Sequence, residues 1–265
     1  MKITQLRNAT IVIQFNQQVI LVDPMLAPQG SIPPLKYLTL QHRKNPLVAL
    51  PKECDAILEK VTHCLITHCQ KGHFDHLDRV GITWLREKAI PVYCPVDDVA
   101  YLEKKGLKVI PLSTEASNPF FSGSIDLIPC LHGRGLVGKM MAHGYGYVIN
   151  IPNEPSLYLA GDTLLTDDVR HCIAHHNPDI TLIPAGGANM DIGGDIIMGL
   201  EDAISMGEIT DKVVVANHLE ALDHCPVQRD ELQHAIHIRQ WDDRYHIPAD
   251  GETLEFETQQ FGTTG

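Results

Sequence analysis

The order of short apolar segments and amphipathic segments is the feature that most constrains how this chain can fold. From residue 63 onward, runs rich in β-branched and aromatic residues, such as HCLIT and PVYCP, alternate with segments of helical periodicity, such as DRVGITWLREK. The first kind predicts buried strands and the second predicts helices. Ahead of them, ATIVIQF and QVILVDP lie on either side of a short polar break, which predicts an antiparallel pair. The sequence therefore predicts an α/β (α+β) protein with two mixed sheets and helices outside them.

The remaining predicted elements continue this alternation. Strands are predicted at 108–112, 124–130, 144–151, 156–162, 180–185, 212–219 and 252–257, and helices at 97–106, 166–177, 200–208 and 229–241. The segment 25–53 is proline-rich and has no clear period, which predicts a long loop that covers part of a cleft. No internal repeat or low-complexity tract divides the chain, so we expect one domain over residues 1–265.

Composition argues against several partners and locations. The formal net charge of −12 at pH 7 disfavours a phosphate-binding surface, and therefore nucleic acid as a partner. No apolar run approaches the roughly 18 residues of a membrane span, and the first residues lack the apolar core of a signal peptide. The 7 cysteines are scattered without C-x-x-C spacing, so reduced thiols are expected. We expect a cytoplasmic protein that acts on a small molecule, and the sequence is compatible with a homo-oligomer.

Four predicted strands each end at a possible metal ligand. His68 ends HCLIT, His132 follows IDLIPC, Asp162 ends SLYLAGD and His218 follows VVVAN. Strand ends along one sheet edge form a crevice where side chains from separate elements meet, which is the usual place for a site in α/β proteins. A lone histidine is more often a solvated or hydrogen-bonded residue, but this set favours a shared site.

The stretch LITHCQKGHFDHLD, residues 65–78, adds candidates in the same region. His73 and Asp75 are two positions apart and can point the same way from an extended loop, whereas His76 turns to the other side. One loop could therefore serve two neighbouring metal ions. Neutral imidazole and carboxylate suit zinc, manganese or ferrous iron. The expected cofactors are two divalent metal ions, with zinc or manganese favoured and iron also compatible.

Four motifs, THCQKGHFDHLD, IPCLHGRG, LAGDT and VVVANHL, resemble in order and interval the metallo-β-lactamase fold hydrolases. The resemblance is to the branch of ascorbate-6-phosphate lactonase-like and N-acylphosphatidylethanolamine phospholipase D-like enzymes. It covers nearly the whole chain, because ITQLRNATIVI and ILVDPML are also similar to the N-terminal strands of that branch. The fold that it implies is a four-layer αββα sandwich with a dinuclear metal site on one edge. The activity that it implies is metal-dependent hydrolysis of a small ester, lactone or phosphodiester.

The same resemblance implies a metal-binding role for seven side chains. His68, His73 and His132 would hold one metal ion, Asp75, His76 and His218 would hold the other, and Asp162 would bridge them. Two cations that share a hydroxide lower the pKa of water towards roughly 7 and polarise the oxygen under attack. Asp75 would also orient that hydroxide and take its proton, which makes it a candidate catalytic residue.

The first two histidines lie further apart than in the family. The family motif T-H-x-H-x-D-H has one residue between them, whereas CQKG places four between His68 and His73. If this spacer loops outward on the surface, with Gly72 supplying a left-handed backbone, both histidines can still meet one ion. The rival expectation is that His68 lies outside the site, which leaves weaker binding or a single metal.

Other residues are weaker candidates. His143 competes with His132 for the mid-chain ligand position. His224, just before a predicted helix, is a candidate catalytic residue as an acid or an anion donor, or else makes a helix-entry hydrogen bond. Arg134 and Lys139 could bind an anionic substrate group, although solvated charges are the default, and the glycines of PAGGANMDIGG could hold an oxyanion or form a plain turn. Cys69 and Cys225 could be reactive, but buried and inert thiols are favoured, and neither is taken as a nucleophile.

Three functional classes remain compatible with these residues. The favoured class is a metal-dependent hydrolase. The second is a mononuclear iron dioxygenase of the same fold, which ferrous-dependent oxygen uptake would identify. The third is a non-catalytic metal-binding protein, which is disfavoured because all seven ligand positions can be filled.

Overall fold

The computed structural model describes residues 1–38, 42–70, 72–135, 138, 141, 143–191 and 193–257. Within these residues, two sheets of seven strands each form the centre of the molecule. Sheet 1 has the order β14-β1-β2-β3-β4-β5-β6, and sheet 2 has the order β13-β12-β11-β10-β9-β8-β7. Both sheets mix parallel and antiparallel pairs, as the alternation of segments predicts.

The strand bounds follow the apolar runs of the sequence closely. Sheet 1 contains β1 Lys2–Arg7, β2 Thr10–Phe15, β3 Gln18–Val22, β4 His63–Leu65, β5 Pro91–Pro95, β6 Lys108–Leu112 and β14 Thr253–Glu255. Sheet 2 contains β7 Asn118–Phe120, β8 Gly123–Pro129, β9 Tyr145–Asn150, β10 Leu157–Leu159, β11 Ile180–Pro184, β12 Val213–Asn217 and β13 Tyr245–His246. The hairpin predicted from ATIVIQF and QVILVDP is the antiparallel pair of β2 and β3.

Helices cover the outer face of each sheet. They are α1 Cys54–Leu58, α2 Arg79–Glu87, α3 Val99–Glu103, α4 Asp167–His176, α5 Leu200–Ile209 and α6 Arg229–Ile238, with a 3₁₀ turn at Val96–Asp98. The helix α2 begins where the Asp78 side chain accepts a hydrogen bond from the Gly81 N–H, at 2.7 Å. The helix α4 begins in the same way at Thr166, and it ends at Asn177, whose φ of 42° is left-handed. Asp, Thr and Asn are residues that favour these terminal positions.

The two sheets pack face to face through a shared apolar core. Residues such as Ile13 and Leu65 of sheet 1 belong to the same buried cluster as Ile149 and Leu182 of sheet 2. A second cluster joins sheet 2 to α4, α5 and α6, and a third joins sheet 1 to α2 and α3. The layers therefore run helix, sheet, sheet, helix, which is the predicted four-layer αββα arrangement.

Three short elements, β7, β13 and α1, were not predicted from the sequence, and β1 was indicated only by the resemblance of ITQLRNATIVI to N-terminal strands of the family. Strand β1 lacks the usual alternation because its polar residues are buried with its apolar ones. The Arg7 side chain is fully buried, and its guanidinium donates to the backbone oxygens of Met25 and Ala27 at 2.6 and 2.9 Å. The other three elements have only two to five residues, too few for a periodic pattern.

The proline-rich segment 25–53 contains no helix or strand among its described residues, as predicted. Its only pairing there is an isolated bridge between Ile32 and Asn45. The Asp223 carboxylate accepts hydrogen bonds from the Leu35 and Lys36 N–H groups, which fixes the loop against the sheet 2 half of the molecule. Leu35 lines the cavity described below, so the loop covers part of a cleft. Among the described residues, no helix is long and apolar enough to cross a membrane.

Candidate metal centre

The candidate site lies where parallel strands from both sheets end at one edge. In sheet 1, β3 and β4 run parallel, and their ends lead to Asp23 and His68. In sheet 2, β8 and β10 are both antiparallel to β9, so they run parallel to each other. Strand β10 is parallel to β11, and β11 is parallel to β12, so β8, β10 and β12 all run in one direction. The ends of β8, β10 and β12 lead to His132, Asp162 and His218. The strand-end pattern in the sequence therefore corresponds to one edge of the fold.

A tight turn presents the other predicted ligands. Gly72 has a φ of 88°, the left-handed value expected for this spacer. The N–H groups of His76 and Leu77 donate to the His73 oxygen at 3.3 and 3.2 Å, which gives residues 73–77 a helical turn. The turn places His73 and Asp75 beside different neighbours, so the extended loop pictured from the sequence is wrong in its local conformation.

One group of possible ligands consists of three buried histidines. The ligand atoms of His68, His73 and His132 all lie within 4.8 Å of one another. The ring centroids of His68 and His73 are 4.5 Å apart, and those of His68 and His132 are 5.4 Å apart. His68 therefore lies beside His73 despite the long spacer, and the rival expectation, that it lies outside the cluster, is not what the structure shows. Its Nε2 is buried and has no hydrogen-bond partner.

The second group contains two carboxylates and two histidines. The ligand atoms of Asp75, His76, Asp162 and His218 also lie within 4.8 Å of one another, and all four residues are buried. Asp162 Oδ2 is 3.0 Å from His76 Nε2 and 3.4 Å from His218 Nε2. The same oxygen is 3.8 Å from His132 Nε2, which belongs to the first group. Asp162 therefore lies between the two groups.

A buried carboxylate that sequence reasoning missed fixes the ring of His76. Asp23 Oδ2 lies 2.8 Å from His76 Nδ1 and accepts from the Thr67 hydroxyl at 2.6 Å, while Oδ1 accepts from the Thr67 N–H at 2.8 Å. Because a carboxylate only accepts, His76 donates from Nδ1 to Asp23 and presents its Nε2 to Asp162. The signal was present, because the apolar run of QVILVDP is also followed directly by an acidic residue, Asp23.

Backbone oxygens orient two histidines of the first group. His132 Nδ1 donates to the Ile196 oxygen at 2.8 Å, and His73 Nδ1 donates to the Gln70 oxygen. Both rings therefore present Nε2 to the cluster. In the second group, His218 has a left-handed φ of 59°, and its N–H donates to the Asn8 oxygen at 3.1 Å.

The glycines of PAGGANMDIGG have a packing role at this edge. A Cβ added to Gly186 would lie 2.0 Å from the His218 oxygen, so only glycine fits there. This close approach explains one glycine of the motif by sterics. An oxyanion-binding role for the others stays a prediction.

The histidines of the site differ in the direction in which their surroundings shift the pKa. Burial, together with the neighbouring histidines, holds the pKa of His68 well below its usual value, and burial also lowers the pKa of His132 despite Asp162. Burial opposes a charge on His76 and His218 as well, but Asp162 and the other acidic groups around each ring together outweigh burial and raise the pKa of both. Burial likewise opposes ionisation of Asp162, yet His76 and His218 hold its pKa well below the ordinary range. The ionised Asp162 carboxylate thus favours positive charge at His76 and His218, a position that a cation could also occupy, whereas His68 and His132 remain neutral.

A cavity of about 250 Å³ opens onto the cluster. Its lining combines site residues with apolar side chains, and consists of Leu35, Gly72, His73, Phe74, Asp75, His132, Met141, Met190, Ile196 and His224. Among the described residues that line it there is no lysine or arginine. The cavity therefore suits a small group with apolar substituents.

His224 lies in the wall of this cavity. Its side chain is 3% exposed and its Nδ1 has no hydrogen-bond partner, so the helix-entry hydrogen bond expected as the alternative is not formed by that atom. Burial lowers its pKa to about 4, with Asp75 acting in the opposite direction. The ring is therefore neutral near pH 7 and faces the cavity together with Asp75 and His132.

The other sequence candidates lie outside the cluster. His143 Nε2 contacts Asp98 Oδ1 at 3.1 Å instead of joining His132. Arg134 is exposed and is not in the cavity lining, and Lys139 lies outside the described residues. Cys69 is buried, and burial raises its pKa, so it is not an activated thiol. Cys225 is buried with its Sγ 3.5 Å from His218 Nδ1, and burial raises its pKa as well.

Solved structures with the same architecture define the class of this protein. An isothiocyanate hydrolase from Delia radicum gut bacteria matches with a TM-score of 0.87 and 30% identity, over 97% of this chain and 100% of that one. The metallo-β-lactamase fold protein YhfI from Bacillus subtilis matches with a TM-score of 0.65 and 15% identity, over 96% and 99% of the two chains. The chain therefore has the metallo-β-lactamase fold, with a cluster of His and Asp side chains at the sheet edge.

Sequence relatives narrow this class to one family. The UPF0173 protein YddR from Bacillus subtilis (strain 168) is 32% identical over 262 residues, which are 97% of this chain and 100% of the relative. A UPF0173 metal-dependent hydrolase from Cereibacter sphaeroides is 30% identical over 200 residues, 71% of this chain and 74% of the relative. No family model matches the chain. The chain belongs to the UPF0173 family of metal-dependent hydrolases.

Proposed function

We propose that this hydrolase uses two divalent metal ions, zinc or manganese, to activate water against a small uncharged electrophile. His68, His73 and His132 hold one ion, Asp75, His76 and His218 hold the other, and Asp162 bridges them. The observation on which this depends is the position of the Asp162 carboxylate oxygen, 3.4 Å from His218 Nε2 in one group and 3.8 Å from His132 Nε2 in the other.

The donor set fits such ions by three criteria. The Nε2 of His68 is buried with no partner, and a metal ion would satisfy this atom where a hydrogen bond does not. The rings of His73, His76 and His132 each donate from Nδ1 to an oxygen, so Nε2 is the ring atom that each would offer to a metal ion. Imidazole and carboxylate donors without thiolates favour zinc, manganese or iron over a thiolate zinc site.

Bound in this way, the ions would lower the pKa of water towards roughly 7 and polarise the substrate. The protein residues then position the reacting groups. Asp75 lines the cavity and lies 3.6 Å from His218 Nε2, so its carboxylate can orient the water and accept its proton. His224 is neutral and buried in the cavity wall, where its ring can donate a hydrogen bond to the leaving group or to the developing anion.

The cavity lining supports an uncharged substrate with an apolar substituent. Phe74, Met141 and Ile196 form apolar walls, and the described lining supplies no cation for a phosphate group. Among the small ester, lactone and phosphodiester substrates that the sequence suggests, the first two fit these walls better. The similar structure that is named an isothiocyanate hydrolase suggests isothiocyanates as a further class of small, uncharged substrates. Water added to R–N=C=S gives a thiocarbamic acid, R–NH–C(=O)–SH, which releases the amine and carbonyl sulfide.

The test combines metal content with a substrate panel. The protein is stripped with chelator, reconstituted with zinc or manganese, and assayed with aryl and alkyl isothiocyanates, lactones, carboxylic esters, phosphomonoesters and phosphodiesters. Two ions per chain and metal-dependent hydrolysis of an uncharged substrate are the expected results. Hydrolysis of phosphodiesters alone would overturn the substrate class, and ferrous-dependent oxygen uptake without hydrolysis would overturn the reaction.

A further inference from the structure

The spacer between His68 and His73 is bonded inward instead of looping freely over the surface. Cys69 is buried and Gln70 is partly buried, while Gly72 is exposed. The Gln70 side-chain amide donates to Asp98 Oδ1 at 2.7 Å and to the Asp97 backbone oxygen at 2.8 Å. The expectation that the spacer is merely tolerated on the surface is therefore wrong for its first two residues.

The partner of Gln70 is an unusual residue to find buried. Asp98 is 0% exposed and ends the 3₁₀ turn Val96–Asp98, at the start of α3. Its Oδ1 is also 3.1 Å from His143 Nε2, so an amide and an imidazole converge on one oxygen. The other oxygen, Oδ2, is buried without a hydrogen-bond partner, so the contacts of Oδ1 with Gln70 and His143 are the ones that offset the cost of burying this carboxylate.

The backbone of Gln70 connects this contact to the metal centre. The Gln70 carbonyl oxygen accepts a hydrogen bond from His73 Nδ1. A carbonyl oxygen cannot donate, so the bond places the His73 proton on Nδ1 and frees Nε2 for the cluster. The side chain and the carbonyl of one residue thus link a buried carboxylate to a candidate ligand.

We propose that Asp98, acting through Gln70, is a positioning residue that sets the ring orientation and tautomer of His73, and that the long spacer exists to make this connection. The inference rests on the proposed function, because it assumes that His73 binds a metal ion. The spacer supplies Gln70, whose side chain donates to Asp98 while its carbonyl oxygen accepts from His73. The contact of His143 with Asp98 Oδ1 would then help to hold the Asp98 carboxylate in place for Gln70.

The test measures zinc affinity of metal-free protein by competition with a chromophoric chelator, which resolves two binding steps. The step that disappears in His68→Ala identifies the ion of the three-histidine group. Gln70→Ala and Asp98→Ala are expected to weaken this step by about tenfold, the lower end of the effect of removing a group that orients a metal ligand, and to leave the other step within about twofold.

Two variants serve as controls. Asp98→Asn keeps an oxygen that can accept from both Gln70 and His143, so it is expected to restore affinity to within about twofold of the parent protein. Tyr145→Phe removes a neighbouring hydrogen bond of the same kind, from the tyrosine hydroxyl to Asp97 Oδ2 at 3.0 Å, which does not involve Gln70. It is expected to leave both binding steps unchanged.

The outcomes separate this inference from the proposed function. Fewer than two zinc ions in the parent protein would contradict the proposed function itself. Two ions in the parent with unchanged affinities in Gln70→Ala would overturn the positioning role alone. Equal weakening of both steps, together with a lower melting temperature of the metal-free variant, would show a structural role for the contact and would also overturn the inference.

Discussion

Replacing Asp23 by asparagine tests how the outer hydrogen bonds control the metal centre. The amide must place its NH₂ at one of the two carboxylate oxygen positions. An NH₂ group at the Oδ1 position would face the Thr67 N–H, which can only donate, so two donors would meet. An NH₂ group at the Oδ2 position would face the Thr67 hydroxyl and His76 Nδ1. The hydroxyl can turn to accept, so the second orientation is favoured. His76 must then accept at Nδ1 and carry its proton on Nε2, where the lone pair for the metal is needed.

The magnitude follows from the bond that is lost. The contact between Asp23 and His76 is 2.8 Å long, both side chains are almost fully buried, and a hydrogen bond to a charged group contributes about 1.5–3 kcal/mol. At about 1.4 kcal/mol for each factor of ten, Asp23→Asn is expected to weaken the ion held by His76 by roughly ten- to a hundredfold. The ion of the three-histidine group should change much less, because the Asp23 carboxylate bonds to Thr67 and His76 and, among the described residues, to no member of that group.

The assay is zinc competition, with hydrolysis of the best substrate measured at limiting and saturating zinc. Asp179→Asn is the matched control, because Asp179 Oδ2 also accepts hydrogen bonds from a backbone N–H and a hydroxyl, both of Ser156. Asp179 directly precedes β11, at the end of the strand opposite to the site. It is expected to bind both ions normally. Full zinc affinity at both steps in Asp23→Asn would refute the tautomer argument.

Three further predictions test the assignment of the site. Asp162→Asn is expected to fold and to reduce hydrolytic activity by at least about a hundredfold, because the bridging charge both spaces the ions and tunes the hydroxide. Turnover near that of the parent protein would show that Asp162 is not part of the site. Mass spectrometry of reconstituted protein should find fewer metal ions per chain in His68→Ala and two in His143→Ala. An unchanged number of ions in His68→Ala would contradict the assignment of His68. The folded pKa of His224 is about 4, below the unfolded value of 6.5, so this group destabilises the fold as the pH falls from 6.5 towards 4. In urea unfolding of metal-free protein, His224→Gln should therefore reduce the loss of stability between pH 7 and pH 5 by about 2 kcal/mol, and an identical loss in both proteins would contradict the lowered pKa.

The strands that form the site were predictable because each is an apolar run that ends abruptly at a polar residue. β10 and β12 are entirely or almost entirely buried, and the residues after them leave the sheet at its edge. This pattern is local, so it is visible in the sequence. The resemblance to a known family added which of the histidines belong together, and the structure brings those side chains into the two expected groups.

The hydrogen bonds around the ligands were not predictable for a physical reason. Gln70 and Asp98 are 28 positions apart, and His76 and Asp23 are 53 positions apart, so their contacts depend on how β3, β4 and the turn before α3 pack. No periodic pattern specifies such pairs. The predicted helix 97–106 illustrates the same limit, because it begins as a 3₁₀ turn whose last residue, Asp98, is buried against the site loop.

The division of the candidate ligands between the two sheets has a consequence for the lifetime of the protein. Asp75 and His76 follow β4 of sheet 1, whereas Asp162 and His218 follow strands of sheet 2, so in the proposed site each ion would be a reversible cross-link between the halves of the sandwich. A ligand that binds only the folded state stabilises it by about 2.7 kcal/mol at a hundred times its dissociation constant. Metal supply would then set resistance to unfolding and proteolysis as well as activity, which the dependence of the melting temperature on zinc concentration measures directly. A cell short of metal would lose the protein itself, and not only its catalysis.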